Sequence, residues 1–187
     1  MQKRVLTIHD VSCFGRCSLT VALPIISAAG IETSVLPTAV LSTHTGGFEG
    51  YTYRDLTEDL LPIARHWETL GITFDGLYSG FLGSMEQVDI LQEIFLRFRG
   101  QNTLVVVDPV MGDNGSLYPI FTKGFAGQMR KLCQMADLIV PNLTEACLLL
   151  DIPYPDGPMS RPFMESLLQR LAGLGPRQVV LTGVTFD

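Results

Sequence analysis

TLVVVDPVMGD, residues 103–113, joins a short apolar run to a turn that carries two carboxylates. A run rich in valine and free of charge is typical of a strand buried on both faces of a parallel sheet. Asp108 and Asp113 follow within a Pro/Gly turn, beyond the end of that strand. This stretch predicts an α/β fold with its chemistry at the carboxyl edge of the sheet, where open parallel sheets bind ligands.

The same alternation extends in both directions from this stretch. Strands are predicted at Arg4–His9, Thr33–Pro37, Thr38–Leu41, Asp75–Ser79, Leu138–Val140 and Gln178–Thr182. Helices are predicted at Ser18–Ala29, Asp55–Leu70, Ser84–Phe98, Phe121–Met135, Leu143–Leu150 and Pro162–Leu174. Short apolar strands between amphipathic helices predict a three-layer α/β sandwich, with a mostly parallel central sheet and helices on both faces. We expect one domain over residues 1–187, with ligands in the loops after His9, Leu41, Ser79, Val107 and Val140.

Composition excludes several classes of function. The net charge is −6 and no Lys/Arg cluster is present, which argues against a nucleic-acid surface. Small phosphates remain possible ligands, because backbone amides at helix starts bind them without net basic charge. The four cysteines lack zinc-site spacing, and no apolar stretch has the length of a membrane span or a signal peptide. We expect a cytoplasmic protein.

Two motifs carry acidic side chains past the ends of predicted strands. Asp108 and Asp113 have the character of magnesium ligands, although a turn whose carboxylates bind nearby amides explains them equally well. Asn142 and Glu145, in PNLTEA, are spaced as a helix capping box. A carboxylate there can also orient metal-bound water, and the two roles are compatible.

The loop Ser42–Gly47 (STHTGG) offers hydroxyls, one imidazole and glycines that allow close backbone approach. Such a loop can bind a polar ring through hydrogen bonds, or it can be an ordinary turn. His44 has no neighbouring Ser/Asp pair, so no nucleophilic triad is predicted. His9 is assigned to a packing or surface role.

Six motifs in this order, IHDVSCFGRCS, STHTGGF, YSGFLGS, DPVMGDNG, PNLTEA and VVLTG, resemble those of the vitamin B6 kinases. These are pyridoxal and pyridoxamine kinases of the ribokinase-like superfamily, and the resemblance runs from Val5 to about Gly183. It implies transfer of the ATP γ-phosphate to a hydroxymethyl group, with Mg²⁺, a monovalent cation as a further candidate, and usually a homodimer.

The resemblance also implies site residues. The implied substrate contacts are Asp10, His44, Thr45 and the wall residue Phe81. The implied ATP contacts are Asp108, Asn142, Glu145, Thr182 and Gly183, and the implied metal ligands are Asp108, Asp113 and Glu145.

Two departures from the family pattern alter these expectations. Asp10 stands where the commonest version of the motif has serine, which bears on the choice among pyridoxal, pyridoxamine and hydroxymethylpyrimidine. The Gly-x-Gly-Asp segment that supplies the family's anion hole and catalytic base does not occur, so no catalytic residue is assigned. We therefore expect a fragment of an active B6 kinase that is nearly inactive alone.

Three alternatives remain open. The first is a naturally truncated, non-catalytic subunit that binds a B6 vitamer. The second is a hydroxymethylpyrimidine kinase of thiamine synthesis, because DPVMGD and PN-x-x-EA are shared with such enzymes. The third is a generic α/β domain in which every motif is turn chemistry.

Overall fold

The computed structural model describes residues 2–122, 124–155, 157 and 159–184. The chain forms two compact units, Met1–Val105 and Val106–Asp187, and each is described by itself. The expectation of a single domain stays a prediction. No helix in the described part of the chain is both long and apolar enough to cross a membrane.

The first unit contains strands β1 (Arg4–Ser12), β2 (Glu32–Leu41), β3 (Tyr53–Asp55) and β4 (Gly76–Ser79). Its helices are α1 (Leu19–Ala28), α2 (Thr57–Thr69) and α3 (Met85–Phe98). The strands lie in the order β3-β2-β1-β4, next to β5 (Leu104–Val107), which begins in this unit and ends in the second. β1 is parallel to β2 and β4, whereas β3 is antiparallel to β2.

The first two strands differ from the prediction. β1 continues past His9 to Ser12, with a register shift between His9 and Val11 in its pairing with β2. β2 is one strand through Pro37, where two pieces were predicted. Because β3 pairs only with Ala39–Leu41, the outer side of β2 opposite Pro37 is an edge, and edges tolerate a residue without an N–H.

The helices of the first unit follow their apolar spacing. α3 buries Val88, Leu91, Ile94 and Phe95, and the hydroxyl of Ser84 accepts the N–H of Gln87 as its N-cap. Ser18, the first residue of the predicted helix, has φ 48° and makes no side-chain cap, so α1 begins at Leu19.

The second unit continues the pattern with shorter strands. It contains the end of β5, β6 (Gly112–Asp113), β7 (Ser116–Leu117), β8 (Leu138–Ile139) and β9 (Gln178–Val179). Its helices are α4 (Phe125–Gln134), α5 (Leu143–Leu150) and α6 (Arg161–Ala172). β8 is parallel to both β5 and β9, whereas β6 and β7 form a separate antiparallel hairpin. The predicted α/β fold with a mostly parallel sheet is confirmed.

The β6–β7 hairpin was missed because DPVMGD was treated only as a turn. Its two turn residues are Asn114 and Gly115, with φ 50° and 78°. Positive φ at both positions is the type I′ pattern, for which Asn-Gly is the strongest short signal in a sequence.

Candidate substrate and phosphate sites

The acidic loop of the second unit begins where β5 ends. Asp108 is half-buried, and burial raises the pKa of its carboxyl group to about 6. No described residue donates a hydrogen bond to its side chain or forms an ion pair with it. Burial without a partner disfavours the ionised form, so a cation or a hydrogen-bond donor from a ligand would stabilise this carboxylate.

Glu145 ties this loop to the start of α5. One carboxylate oxygen, Oε1, accepts the N–H of Met111 at 3.2 Å, and the other, Oε2, accepts the N–H of Asn142 at 2.8 Å. The side chain is only 3% exposed, and its pKa is raised to about 8 by burial and, less strongly, by Asp108. Below that pH the native protein keeps Glu145 protonated, although both oxygens accept backbone hydrogen bonds.

Asn142 closes the predicted capping box. Its Oδ1 accepts the N–H of Glu145 at 2.9 Å, and its Nδ2 donates to the carbonyl of Gly112 at 2.9 Å. The box is complete in both directions, which confirms the structural half of the prediction. The same side chain therefore holds the β6–β7 hairpin against α5.

Tyr118 is the residue that sequence reasoning missed. Its N–H donates to the carbonyl of Met111 at 2.9 Å, because the hairpin reverses the chain. Burial raises the pKa of its phenol, and the charges of Glu145, Asp113 and Asp108 raise that pKa further. The phenol thus lies within electrostatic reach of all three predicted metal ligands. The only signal in the sequence was the Asn-Gly turn between Asp113 and Tyr118.

The remaining predicted residues of the second unit are exposed. Asp113 accepts hydrogen bonds from the backbone and side-chain nitrogens of Asn114, at 2.9 and 3.2 Å. Thr182 forms an isolated parallel bridge with Asn142, and its N–H donates to the carbonyl of Pro141 at 2.9 Å. Gly183 follows with φ 67°. Thr182 and Asn142 therefore lie side by side, where β9 and β8 lead into their loops.

These residues were tested for their fit to a divalent cation. Among residues 2–122, 124–155, 157 and 159–184, no three His, Cys, Asp or Glu side chains are grouped closely enough to bind a metal by themselves. Magnesium bound with a polyphosphate takes only one or two carboxylates and fills its shell with waters and phosphate oxygens. Half-buried Asp108 and buried Glu145, two acids whose pKa values are raised, fit that requirement.

In the first unit, Asp10 lies near the end of β1 and is 4% exposed. Its Oδ2 accepts a hydrogen bond from the hydroxyl of Ser12 at 2.9 Å, and no described group donates to Oδ1. Tyr53 lies near enough for the charge of Asp10 to contribute to raising its phenol pKa to about 12, after burial and Asp55. Asp10 is thus a buried carboxylate that retains hydrogen-bond acceptor capacity.

His44 belongs to an aromatic cluster formed by two loops. Its Nδ1 accepts the N–H of Gly46 at 3.2 Å, and its ring meets Phe48 edge-on at 5.0 Å between centroids. Phe48 also contacts Phe14, with the centroids 6.0 Å apart. The pairing of Ser12 with Leu41 places both loops at the carboxyl ends of β1 and β2. Thr45 is exposed within the same loop.

Phe81 is 9% exposed and lies in the loop after β4, and its carbonyl accepts a hydrogen bond from the Thr38 hydroxyl at 3.0 Å. His9 lies under the same loop, 4% exposed, with its ring edge-on to Tyr78 at 4.6 Å. Burial lowers the pKa of His9 to about 4, so its imidazole is neutral near neutral pH. The packing role predicted for His9 is confirmed.

The strands and helices define an α/β protein. In the second unit, Asp108 follows the end of β5 and Glu145 lies in the first turn of α5. In the first unit, Asp10 lies near the end of β1, and His44 and Phe48 follow the end of β2. The chain belongs to the phosphomethylpyrimidine kinase family, whose model matches residues 25–187.

Individual relatives include pyridoxal kinases. A pyridoxal kinase of Pasteurella multocida is 28% identical over 96% of this chain. A protein of Bacteroides thetaiotaomicron, assigned to the phosphomethylpyrimidine kinases and crystallised with pyridoxal, is 41% identical over 99% of this chain, with a TM-score of 0.94. The pyridoxal kinase of Lactobacillus plantarum is 34% identical over 97%, with a TM-score of 0.83. The chain spans 63%, 64% and 61% of these three proteins, respectively.

Proposed function

We propose that this protein functions as an ATP-dependent kinase that phosphorylates the hydroxymethyl group of a vitamin B6 ring. The observation that carries this proposal is the pair of carboxyl groups of half-buried Asp108 and buried Glu145, with no described cation between them. A magnesium-bound triphosphate supplies the missing positive charge. The likeness to a protein crystallised with pyridoxal, at 41% identity, supports the choice of ring.

The proposal assigns different tasks to the two units. The first unit would bind the ring through Asp10, His44, Thr45 and Phe81. The second would hold the nucleotide through Asp108, Asn142, Glu145, Thr182 and Gly183, with Asp108, Asp113 and Glu145 toward the cation. Magnesium would neutralise charge that develops on the transferring phosphoryl group.

The residues of this chain would prepare that reaction without carrying all of it. The Asn142–Glu145 capping box fixes the backbone of the acidic loop, so the carboxyl groups need not reorganise when the nucleotide binds. Asp10 would orient the ring by accepting a hydrogen bond from a donor group on it. The 187 residues contain no Gly-x-Gly-Asp, so the proton acceptor for the substrate hydroxyl is assigned to none of them.

A hydroxymethylpyrimidine kinase is the second candidate. The matching family model is that of the phosphomethylpyrimidine kinases, and Asp10 offers a buried acceptor that an aminopyrimidine could fill with its N–H groups. The same acceptor suits the ring N–H of a protonated pyridine or the amine of pyridoxamine. Asp10 therefore favours a donor-rich ring without separating these substrates.

A homodimer and a cytoplasmic location complete the proposal. The dimer is supported by α1, an apolar helix in which only Leu19 is buried and Ile25 is 63% exposed. An exposed apolar helix of this kind is typical of a surface that another subunit covers.

The test compares pyridoxal, pyridoxamine and hydroxymethylpyrimidine side by side, with ATP and Mg²⁺ and the full-length gene product. We expect a phosphate ester from at least one B6 vitamer, at a higher kcat/KM than from the pyrimidine.

Asp108→Asn should weaken binding of the Mg²⁺–nucleotide about tenfold or more, because it removes a half-buried charge that faces the cation. Asp89→Asn, on exposed α3 surface, is the matched control. Turnover of none of the rings would refute the kinase proposal, and unchanged nucleotide binding in Asp108→Asn would refute the metal assignment.

A further inference from the structure

Gln87 is a fully buried polar residue on α3 that has no role in the chemistry proposed above. Its side-chain oxygen accepts the N–H of Gly83 at 2.8 Å. Its side-chain nitrogen donates to the carbonyl of Thr38 and to the hydroxyl of Thr57, both at 2.9 Å. The amide group therefore joins α3 to β2, to α2 and to the loop that follows β4.

That loop, Gly80–Gly83, carries Phe81 and is held at both ends. The hydroxyl of Thr38 donates a hydrogen bond to the carbonyl of Phe81. The carbonyl of Thr38 accepts a hydrogen bond from the side-chain nitrogen of Gln87. Gln87 binds the N–H of Gly83 directly. The backbone from the Phe81 carbonyl to the Gly83 N–H is thus connected to one buried network, whose centre is the Gln87 amide.

Close packing also restricts the backbone of this loop at Gly80 and Gly83. A Cβ on Gly80 would lie 2.5 Å from Cδ2 of His9, and a Cβ on Gly83 would lie 2.1 Å from the hydroxyl oxygen of Tyr53. Real side chains do not approach that closely, so the loop backbone lies directly against the His9 ring and the Tyr53 hydroxyl. These close contacts and the hydrogen bonds together restrict the backbone position of Phe81.

We propose that Gln87 is a positioning residue that fixes the Phe81 loop for binding of the substrate ring. This inference rests on the proposed function, in which Phe81 forms a wall of the ring pocket. Loss of the amide would leave the part-buried Gly83 N–H without this partner and the Thr38 carbonyl with only the N–H of Leu56, and the loop would shift to find new partners. The substrate ring would then lose its wall, whereas the nucleotide contacts of the second unit would be unaffected.

The experiment measures steady-state kinetics of Gln87→Leu in the full-length protein, varying the B6 vitamer and ATP separately. We expect the KM for the vitamer to rise about tenfold, the size of one buried hydrogen-bonding defect, while the KM for ATP changes by less than about twofold. Gln92→Leu is the matched control, because Gln92 is on the same helix and its side chain bonds, among the residues that the structure describes, only to its neighbours Val88 and Asp89. Its KM values should equal those of the wild type.

A purely structural role predicts a different pattern. If Gln87 only stabilised the fold, its loss would reduce the fraction of active protein and hence the apparent kcat, with both KM values unchanged. Thr38→Val decides the question if Gln87→Leu does not fold, because it removes only the hydroxyl that binds the Phe81 carbonyl and should raise the vitamer KM by about threefold. Unchanged vitamer KM in the folded variants would overturn the inference. Wild-type protein that turns over no vitamer would instead overturn the proposed function.

Discussion

Replacing Glu145 with Gln should remove a specific pH dependence of stability. Glu145 is 3% exposed, and its pKa is raised from 4.5 to about 8, mainly by burial. Over the interval between these values the native protein keeps a proton that the unfolded chain has released. Stability contributed by this group is therefore fully present at low pH and is lost as pH rises toward the folded-state pKa.

The magnitude follows from the interval in which Glu145 acts alone. The raised pKa of Asp108 is about 6, so that group acts mainly below pH 6. His9, with a pKa lowered from 6.5 to about 4, has the opposite sign and acts below 6.5. A single proton changes the free energy of unfolding by about 1.4 kcal/mol per pH unit. The free energy of unfolding of the wild type should therefore fall by about 1.5 kcal/mol between pH 6.5 and 8.

Urea unfolding at intervals across that range measures the effect. Gln is neutral at every pH but can accept only one of the two backbone N–H groups. Glu145→Gln should therefore be less stable by about 1 kcal/mol at pH 6.5 and show no further loss up to pH 8. Glu165→Gln, on the exposed surface of α6, should keep the wild-type slope. The reasoning fails if Glu145→Gln and the wild type lose stability in parallel.

Two further substitutions test the packing around the sites. Asn142→Ala should destabilise the protein by about 2 kcal/mol because it removes the cap and the bond to the Gly112 carbonyl, whereas Asn142→Ser should lose about half of that. Chemical denaturation measures both, and equal losses would show that the cap contributes nothing. Gly80→Ala should cost about 2 kcal/mol because its Cβ would meet the His9 ring at 2.5 Å, and the cost should shrink when His9 is also replaced by Ala. Strictly additive losses in that double-mutant cycle would exclude the clash.

Sequence patterns predicted the elements that local physics controls. α5 begins and ends at the predicted residues because Asn142 and Glu145 form a capping box within one helical turn. The parallel sheet followed from apolar strands alternating with amphipathic helices. The missed strand β3 depends on distant chain segments, because it is three residues long and exists by pairing with the end of β2. The missed β6–β7 hairpin, in contrast, carried a local signal in its Asn114-Gly115 turn.

In the candidate sites, too, some features follow from the sequence and others depend on the tertiary structure. The sequence by itself determined which acids, hydroxyls and rings occur near strand ends, because strand and helix periods place loops at fixed points along the chain. Tertiary structure alone decided that Glu145 is buried with a raised pKa, that Tyr118 lies near Glu145, and that Gln87 binds the N–H of Gly83. Burial and hydrogen-bond partners depend on residues far apart in sequence, so no local pattern records them.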